Sequence, residues 1–281
     1  MIDTATVGLI LIVVNVIVSY NGFTNGVFFD KYKFEIDPIF INKDYKRMVT
    51  AGFLHIGWKH LIVNMLTLYA FSVMTGNDQN GIKFLIIYFS ALIGGDLLAL
   101  IVHRNHGDYS AVGASGAICG IIFAAIALRP GMHVGFLFLP ISIPGWLFGI
   151  VYVLYSMYGI KSKNDNIGHE AHLGGALVGM VVALLMNPFA FADNYSTILL
   201  IAIPTIVFIY LIITRPEILM IDNLFFNKHK QYYPVVRLSK SNKLINQQEI
   251  DDILEKINEK GMKSLSSKEK EKLKRFSKNM R

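Results

Sequence analysis

The sequence predicts an all-α, polytopic membrane helical bundle. It has a six-helix core over residues 1–190, a seventh transmembrane helix over 191–214, and a basic soluble helical tail over 215–281. Three observations predict this. The 281 residues are 53% apolar, and the apolar residues come in blocks approaching ~20 residues, the length of a membrane-crossing helix. The blocks do not alternate as barrel strands do, and in lipid only a helix or a closed barrel satisfies its own backbone. All of the net charge of +7 lies in the tail: residues 1–213 hold 11 Lys/Arg against 11 Asp/Glu, and residues 214–281 hold 16 against 9.

The first span has its core at residues 7–18 and reaches membrane-crossing length when 4–20 are included. Met1-Ile2-Asp3-Thr4 has no basic stretch, so this run is expected to be a retained helix and not a cleaved leader. Residues 21–53 are polar and aromatic and too long for a simple turn; they are expected to have structure of their own, on the membrane surface. The second span covers 54–74 and stops at the turn residues Gly76-Asn77-Asp78-Gln79-Asn80-Gly81. The third, 82–102, carries Gly94-Gly95-Asp96 in its middle, and the fourth, 115–128, stops at Arg129-Pro130-Gly131. Residues 132–145, broken by Pro140, Pro144 and Gly145, read as a loop hugging the bundle. The fifth span is 146–158, followed by a loop over 161–166. The sixth is 168–186, closed by Asn187-Pro188, and the seventh is 198–213 with Pro204 inside it.

The composition changes after Pro216. Ile250, Ile253, Leu254 and Ile257 recur at helical spacing, and Gly261 follows as a helix stop. Ser266 and Glu269 then form a capping-box pattern ahead of Leu273 and Phe276. The tail reads as a two-helix hairpin. Its charge is expected to attract anionic lipid headgroups, not nucleic acid.

A polar side chain within a membrane span is costly, so each one is a functional candidate. The second span carries His55, His60 and Asn64, the fourth starts at Ser115, and the sixth starts with His169-Glu170-Ala171-His172. Spans two, four and six run in the same direction, so these clusters share one side of the membrane. His60 and Asn64, four apart, share one helix face. Gly116, Gly120 and Ala124 on the fourth span, and Ala171, Gly175 and Gly179 on the sixth, form small-residue stripes at four-residue spacing. Such stripes let membrane helices approach closely, which would bring Ser115 near His172.

That set of groups suits acyl transfer. His172 could take the Ser115 proton, and Asn64, His60 and the Ser115 backbone N–H could donate to an oxyanion. The bland alternative for Ser115 is a helix N-cap. Glu170 is expected to point to another face than His172, so a Ser-His dyad is the economical reading. Asp96 reads as a satisfied polar residue in the bundle, and a transporter's proton relay is the sharper alternative. His169 is expected to face a loop, and His103, His106 and His133 to be ordinary loop residues. No metal site is expected: Cys119 is the single cysteine, and His169-Glu170-Ala171-His172 lacks the HExxH spacing.

Three stretches carry a family resemblance. They are His55-Ile56-Gly57-Trp58-Lys59-His60 continuing to Asn64, Gly113-Ala114-Ser115-Gly116, and Ala171-His172-Leu173-Gly174-Gly175, with Lys46-Arg47 ahead of them. Over residues 5–187 the chain closely resembles the rhomboid intramembrane serine proteases. The GxSG element alone is a weak signal; the three motifs in this order, on spans two, four and six, are a specific one. The resemblance implies Ser115 as nucleophile, His172 as general base, and His60 and Asn64 as oxyanion-hole donors. It implies cleavage of transmembrane protein substrates near one face of the lipid bilayer, without cofactor or metal. The alternative within the family is a catalytically inactive protein that binds membrane clients, and the intact Ser115, His172 and Asn64 argue against it.

Two positions depart from the family pattern. Its usual Trp-Arg pair in the first loop reads Lys46-Arg47, so that loop's anchoring is expected to differ. One turn after the nucleophile the family usually has an aromatic that stacks on the catalytic histidine; here Cys119 stands, so the expectation is that His172 is held less firmly or that another aromatic, such as Phe123 or Tyr69, substitutes. The Ile/Lys/Asn-rich composition, with a tail like those of some bacterial membrane proteases, leads to the expectation of a bacterial inner membrane.

Overall fold

The computed structural model describes residues 2–75, 80–135, 141–162 and 167–215, and in the tail 253, 256–257 and 264–279. The turn residues 76–79, Pro140, loop residues 163–166, Ile250, Leu254 and Gly261 lie outside the described residues. The chain divides into two compact units, residues 1–229 and 230–281.

The first unit is an all-α polytopic membrane bundle. Its long helices are α1 (Thr4–Thr24), α5 (Trp58–Met74), α6 (Gly81–Val102), α7 (Ser115–Leu128), α8 (Gly145–Ser162), α9 (His169–Met186) and α10 (Phe189–Thr214). Helices α1, α6, α9 and α10 are each long and apolar enough to cross a bilayer. Their outward residues, such as Leu9, Val13 and Ile17 on α1 and Leu200, Ile203 and Val207 on α10, are exposed and apolar. That is the surface a helix presents to lipid.

Helix α7 sits at the centre, packed against α6 and α9. It is buried without a break from Gly116 to Ala127. Its 14 residues rise about 21 Å against a hydrocarbon core of about 30 Å, so at least one of its ends lies below the bilayer surface. The approach to α9 requires glycine. A Cβ on Gly175 would meet the Gly116 carbonyl, and a Cβ on Gly179 would meet the Gly120 backbone. The stripes therefore face each other across the α7–α9 contact.

The C-terminal end of α7 is closed from α10. Asn194 donates from Nδ2 to the carbonyls of Ile126 (2.8 Å) and Ala127 (3.1 Å), which have no partners within their own helix. Asn194 is itself non-helical (φ −137°, ψ 25°), a break inside α10. The seventh span was expected at 198–213; the helix starts nine residues earlier because Pro188 occupies the N-cap and the chain reaches back to seal α7.

The segment 21–53 folds as expected of its length. It contains α2 (Gly26–Tyr32), β1 (Phe34–Glu35), α3 (Ile36–Asn42), α4 (Arg47–Thr50) and a 3₁₀ turn at Ala51–Phe53. Strand β1 pairs antiparallel with β2 (Ser110–Ala111), and Phe34, Ile36, Ile39 and Met48 form a small core of their own with Ala99 and Leu100 of α6. The described residues of 132–145 are not a plain loop: β3 (His133–Gly135) and β4 (Ser142–Pro144) pair antiparallel, which satisfies backbone groups that an irregular segment against the bundle would leave open.

In the second unit, α11 (Ser267–Asn279) opens on the predicted capping box. The Ser266 N–H and hydroxyl both donate to Glu269 Oε2 at 2.7 Å, and the Glu269 N–H returns to Ser266 Oγ at 3.4 Å. Ser266, followed by Lys256 at 2.9 Å, holds the Glu269 carboxyl down at about 2. Ile253, Ile257, Leu265 and Leu273 pack together beside it.

Candidate active site

The segment that leads into α5 is fixed by a buried cation. Arg47 donates from Nη1 to the carbonyls of Asp30 and Lys33, both at 2.8 Å, and from Nε to Asp44 Oδ2 at 3.1 Å. The two carbonyls close the C-terminal end of α2, where a cation is favourable. Arg47 thus anchors the first loop, with Thr50 Oγ1 donating to the Tyr32 carbonyl at 2.9 Å beside it.

Helix α5 then presents His60 and, one turn later, Asn64. The His60 ring lies over Gly113, where a Cβ would be 2.8 Å from its Cε1 and 3.0 Å from its Nε2. Gly113 also has φ +129°, which side-chain-bearing residues avoid, so this position excludes a side chain twice over. The same Cβ would lie 3.7 Å from Ser115 Oγ; His60 and Ser115 face each other across this glycine. Asn64 is 6% exposed, and its Nδ2 is buried with no hydrogen-bond partner among the described residues.

Ser115 is the first residue of α7. The N-cap position is Ala114, with no side-chain cap bond, so the Ser115 hydroxyl is not spent on a cap. It lies 2.6 Å from His172 Nε2. His172, in the first turn of α9, reaches through Nδ1 to the Tyr152 hydroxyl at 3.0 Å, and that hydroxyl lies 2.9 Å from Cys119 Sγ. Two opposite proton assignments use all three contacts: Ser115 to Nε2, Nδ1–H to the Tyr152 oxygen and the Tyr152 O–H to Cys119 sulfur, or the reverse along the same chain; only the first leaves Nε2 able to take the Ser115 proton.

A cavity of about 460 Å³ opens on this group and is lined by His60, Ser115 and His172 together with Asp96, Tyr109 and Gly113. Three N-terminal helix ends thus meet at one opening, and Asn64 lies beyond its lining. Among the described residues no cluster of three or more His, Cys, Asp or Glu is arranged to hold a metal ion.

The neighbouring polar residues fall differently from the sequence expectation. His169 is buried (1% exposed) against Gly159 and edge-on to Tyr155 at 5.1 Å, not in a loop, because Gly159 leaves room for its ring. His103 is buried as well: Tyr109 stacks on it at 3.5 Å, and Glu170 lies 3.3 Å from its Nε2. Glu170 points away from His172 and is committed to His103. Burial, then the carboxyls of Glu170 and Asp96, push the Tyr109 phenol well above its usual value. His55 is held through Nδ1 by Ser19 at 2.9 Å and meets His60 edge-on at 4.9 Å. Asp96 is not satisfied within the bundle: its Oδ2 is buried without a partner among the described residues.

Residues 42–189, more than half of the chain, match the rhomboid domain. The chain belongs to the rhomboid family. It is 27% identical over 189 residues to RHOMBOID-like protein 12, mitochondrial, of Arabidopsis thaliana, covering 62% of this chain and 56% of that one. It is 28% identical over 160 residues to Rhomboid-like protein 11, chloroplastic, of the same plant, covering 52% and 54%. Against Rhomboid protein 1, mitochondrial, of Saccharomyces cerevisiae it is 27% identical over 150 residues, covering 50% and 43%. The chain spans about half the length of these curated relatives. Residues 239–279 match a family of unknown function.

These relatives correct the expectation of a bacterial inner membrane, because they are mitochondrial and chloroplastic proteins and point to organellar membranes. Span composition is set by a hydrocarbon core common to all bilayers, so it carries little information about compartment. What stands is an integral membrane protein of the rhomboid family. At the Cys119 departure the aromatic beside His172 is Tyr152 of α8, whose hydroxyl lies 3.0 Å from Nδ1 and whose ring is tilted 32° at 6.3 Å; Phe123 packs on Tyr152 at 5.7 Å. Sequence reasoning missed Tyr152. Its one signal is a phenol in the middle of an apolar span.

Proposed function

We propose that this rhomboid is a serine-type endopeptidase that cleaves transmembrane protein substrates within the bilayer. The observation that carries the reading is the 2.6 Å contact between Ser115 Oγ and His172 Nε2 at the mouth of the cavity. His172 Nε2 takes the hydroxyl proton as Ser115 Oγ attacks the substrate carbonyl carbon. The His60 imidazole, the Asn64 amide, whose Nδ2 lacks a partner among the described residues, and the free N–H groups of the first turn of α7 supply donors for the oxyanion. The C–N bond then breaks, and the leaving amine takes the proton from His172. Water, deprotonated by His172, hydrolyses the acyl ester and restores Ser115. Tyr152 holds His172 with Nδ1–H pointed away from Ser115, so that Nε2 is left as the base.

The test is cleavage of a model transmembrane substrate in liposomes, with labelling by a serine-reactive fluorophosphonate. Ser115→Ala and His172→Ala each abolish cleavage and labelling, and Asn64→Ala slows cleavage. Full cleavage by Ser115→Ala overturns the assignment.

A further inference from the structure

We propose that the cavity beside Ser115 contains a polar side-chain subsite built on Asp96, which accepts a substrate residue with a hydroxyl or amide side chain next to the scissile bond. The inference rests on the protease reading and names the substrate feature that the site selects.

Asp96 stands in the C-terminal half of α6, six residues before its end at Val102, on a helix apolar enough to cross the bilayer. The preceding Gly95 lies against the Ala171 backbone, next to His172, and Gly116, next to Ser115, meets the same Ala171 carbonyl. These close approaches bring the Asp96 segment of α6 to the junction of the two helices that carry Ser115 and His172. Asp96 lines the same cavity as both residues. It is 8% exposed, and its Oδ2 is buried with no hydrogen-bond partner among the described residues.

A buried carboxyl without a partner is costly in a protein interior and more so within a bilayer. The cavity wall itself offers no cation to relieve it. Among the described residues lining the cavity, the one lysine, Lys33, is already held by Asp30 at 3.1 Å and Glu35 at 3.7 Å. Much of the remaining wall is small or aliphatic, including Ala51, Leu92, Val112 and Ala171. A group entering from the substrate can supply the missing hydrogen bond. A hydroxyl or a primary amide both donates and accepts, so it complements the carboxyl in either protonation state. An aliphatic side chain of the same shape would displace water and leave the carboxyl unpaired. A site that hydrogen-bonds its substrate rejects the analogue lacking the polar group strongly, because its own buried group is then stranded.

The experiment uses the full chain in liposomes and paired model substrates, each differing at one residue flanking the scissile bond. Thr is compared with Val, and Asn with Leu, on each side in turn. The wild-type chain is expected to favour the polar member of a pair on one side by at least about tenfold in kcat/KM. Asp96→Asn, which still hydrogen-bonds, retains the preference, and Asp96→Leu removes or inverts it. A wild-type unfolding midpoint in detergent, together with fluorophosphonate labelling of Ser115 that still occurs at whatever rate, shows that each variant is folded, which separates a changed subsite from a misfolded chain. Cleavage with the same Thr-to-Val and Asn-to-Leu ratios in wild type and Asp96→Leu overturns the subsite alone. Absence of both cleavage and labelling in wild type overturns the protease reading and the subsite with it.

Discussion

Tyr152→Phe removes one oxygen from the chain of contacts behind His172. That oxygen lies 3.0 Å from His172 Nδ1 and 2.9 Å from Cys119 Sγ, and in the proposed reaction it accepts from Nδ1–H. A neutral hydrogen bond of this kind contributes about 1 kcal/mol net, and one to a charged group about 1.5–3 kcal/mol. In the proposed reaction His172 is neutral before attack and imidazolium in the transition state, so the bond strengthens by about 0.5–2 kcal/mol as the barrier is climbed. That converts to about a two- to thirtyfold loss of kcat. KM is expected to stay unchanged, because Tyr152 does not line the cavity. The phenyl ring keeps its packing on Phe148 (5.8 Å) and Phe123 (5.7 Å), so thermal unfolding in detergent should move little. Cys119→Ser preserves an acceptor for Tyr152 and is expected to retain most activity. Cys119→Phe forces a large ring into a buried position and breaks the contact, so its activity falls. Steady-state cleavage in liposomes measures all three. A Tyr152→Phe chain with wild-type kcat would refute the role of this oxygen.

Other consequences follow from the packing. Gly179→Ala puts a methyl group against the Gly120 backbone, which has no rotamer to yield. A destabilisation of about 1–3 kcal/mol is expected, read as a lower unfolding midpoint in detergent; an unchanged midpoint would mean that α7 and α9 are not in close contact. Arg47→Ala strips the α2 carbonyls of their donor while leaving Asp44 with Lys46, at 3.3 Å, as its remaining partner. Faster hydrogen exchange over residues 26–50, with little change in α6, is the expected readout. In the tail, the hydrogen bonds from Ser266 and Lys256 hold the Glu269 carboxyl down at about 2, from an ordinary value of 4.5, so its contribution to α11 is present above 4.5 and is lost as pH falls toward 2. Exchange protection of α11 that is flat over that range, or unaltered in Glu269→Gln, would contradict the capping box.

The order of the spans and the polar residues at their ends could be read directly. Lipid tolerates few backbone solutions, so long apolar blocks must be helices, and their parity alone puts His60, Ser115 and His172 at one side. The stripes of Gly116, Gly120, Gly175 and Gly179 were legible for the same reason, since small residues at four-residue spacing leave one face without bulk. The capping box at Ser266 and Glu269 is local and needs no tertiary partner. Arg47 was visible as part of a motif, although its bonds to the carbonyls of Asp30 and Lys33 were not.

The remainder depended on how the helices are rotated about their axes. Tyr152, Tyr155 and Tyr158 all stand on α8, and nothing in their spacing says which one meets His172. The rotation of α8 against α7 and α9 turns Tyr152 inward and leaves Tyr155 and Tyr158 exposed. The same rotation sets the Cys119 sulfur against the Tyr152 hydroxyl. Asp96 read as one satisfied polar group among many, because a sequence does not record which cavity a side chain lines or whether a partner comes within reach. His103 and Glu170, 67 positions apart, met only when α6 and α9 packed. By itself the sequence determined a polytopic helical bundle and the side of it on which the chemistry is gathered, since both follow from burying backbone in lipid. The tertiary structure decided which groups touch, because hydrogen bonds depend on ångström distances that helix rotation sets and hydrophobic periodicity leaves free.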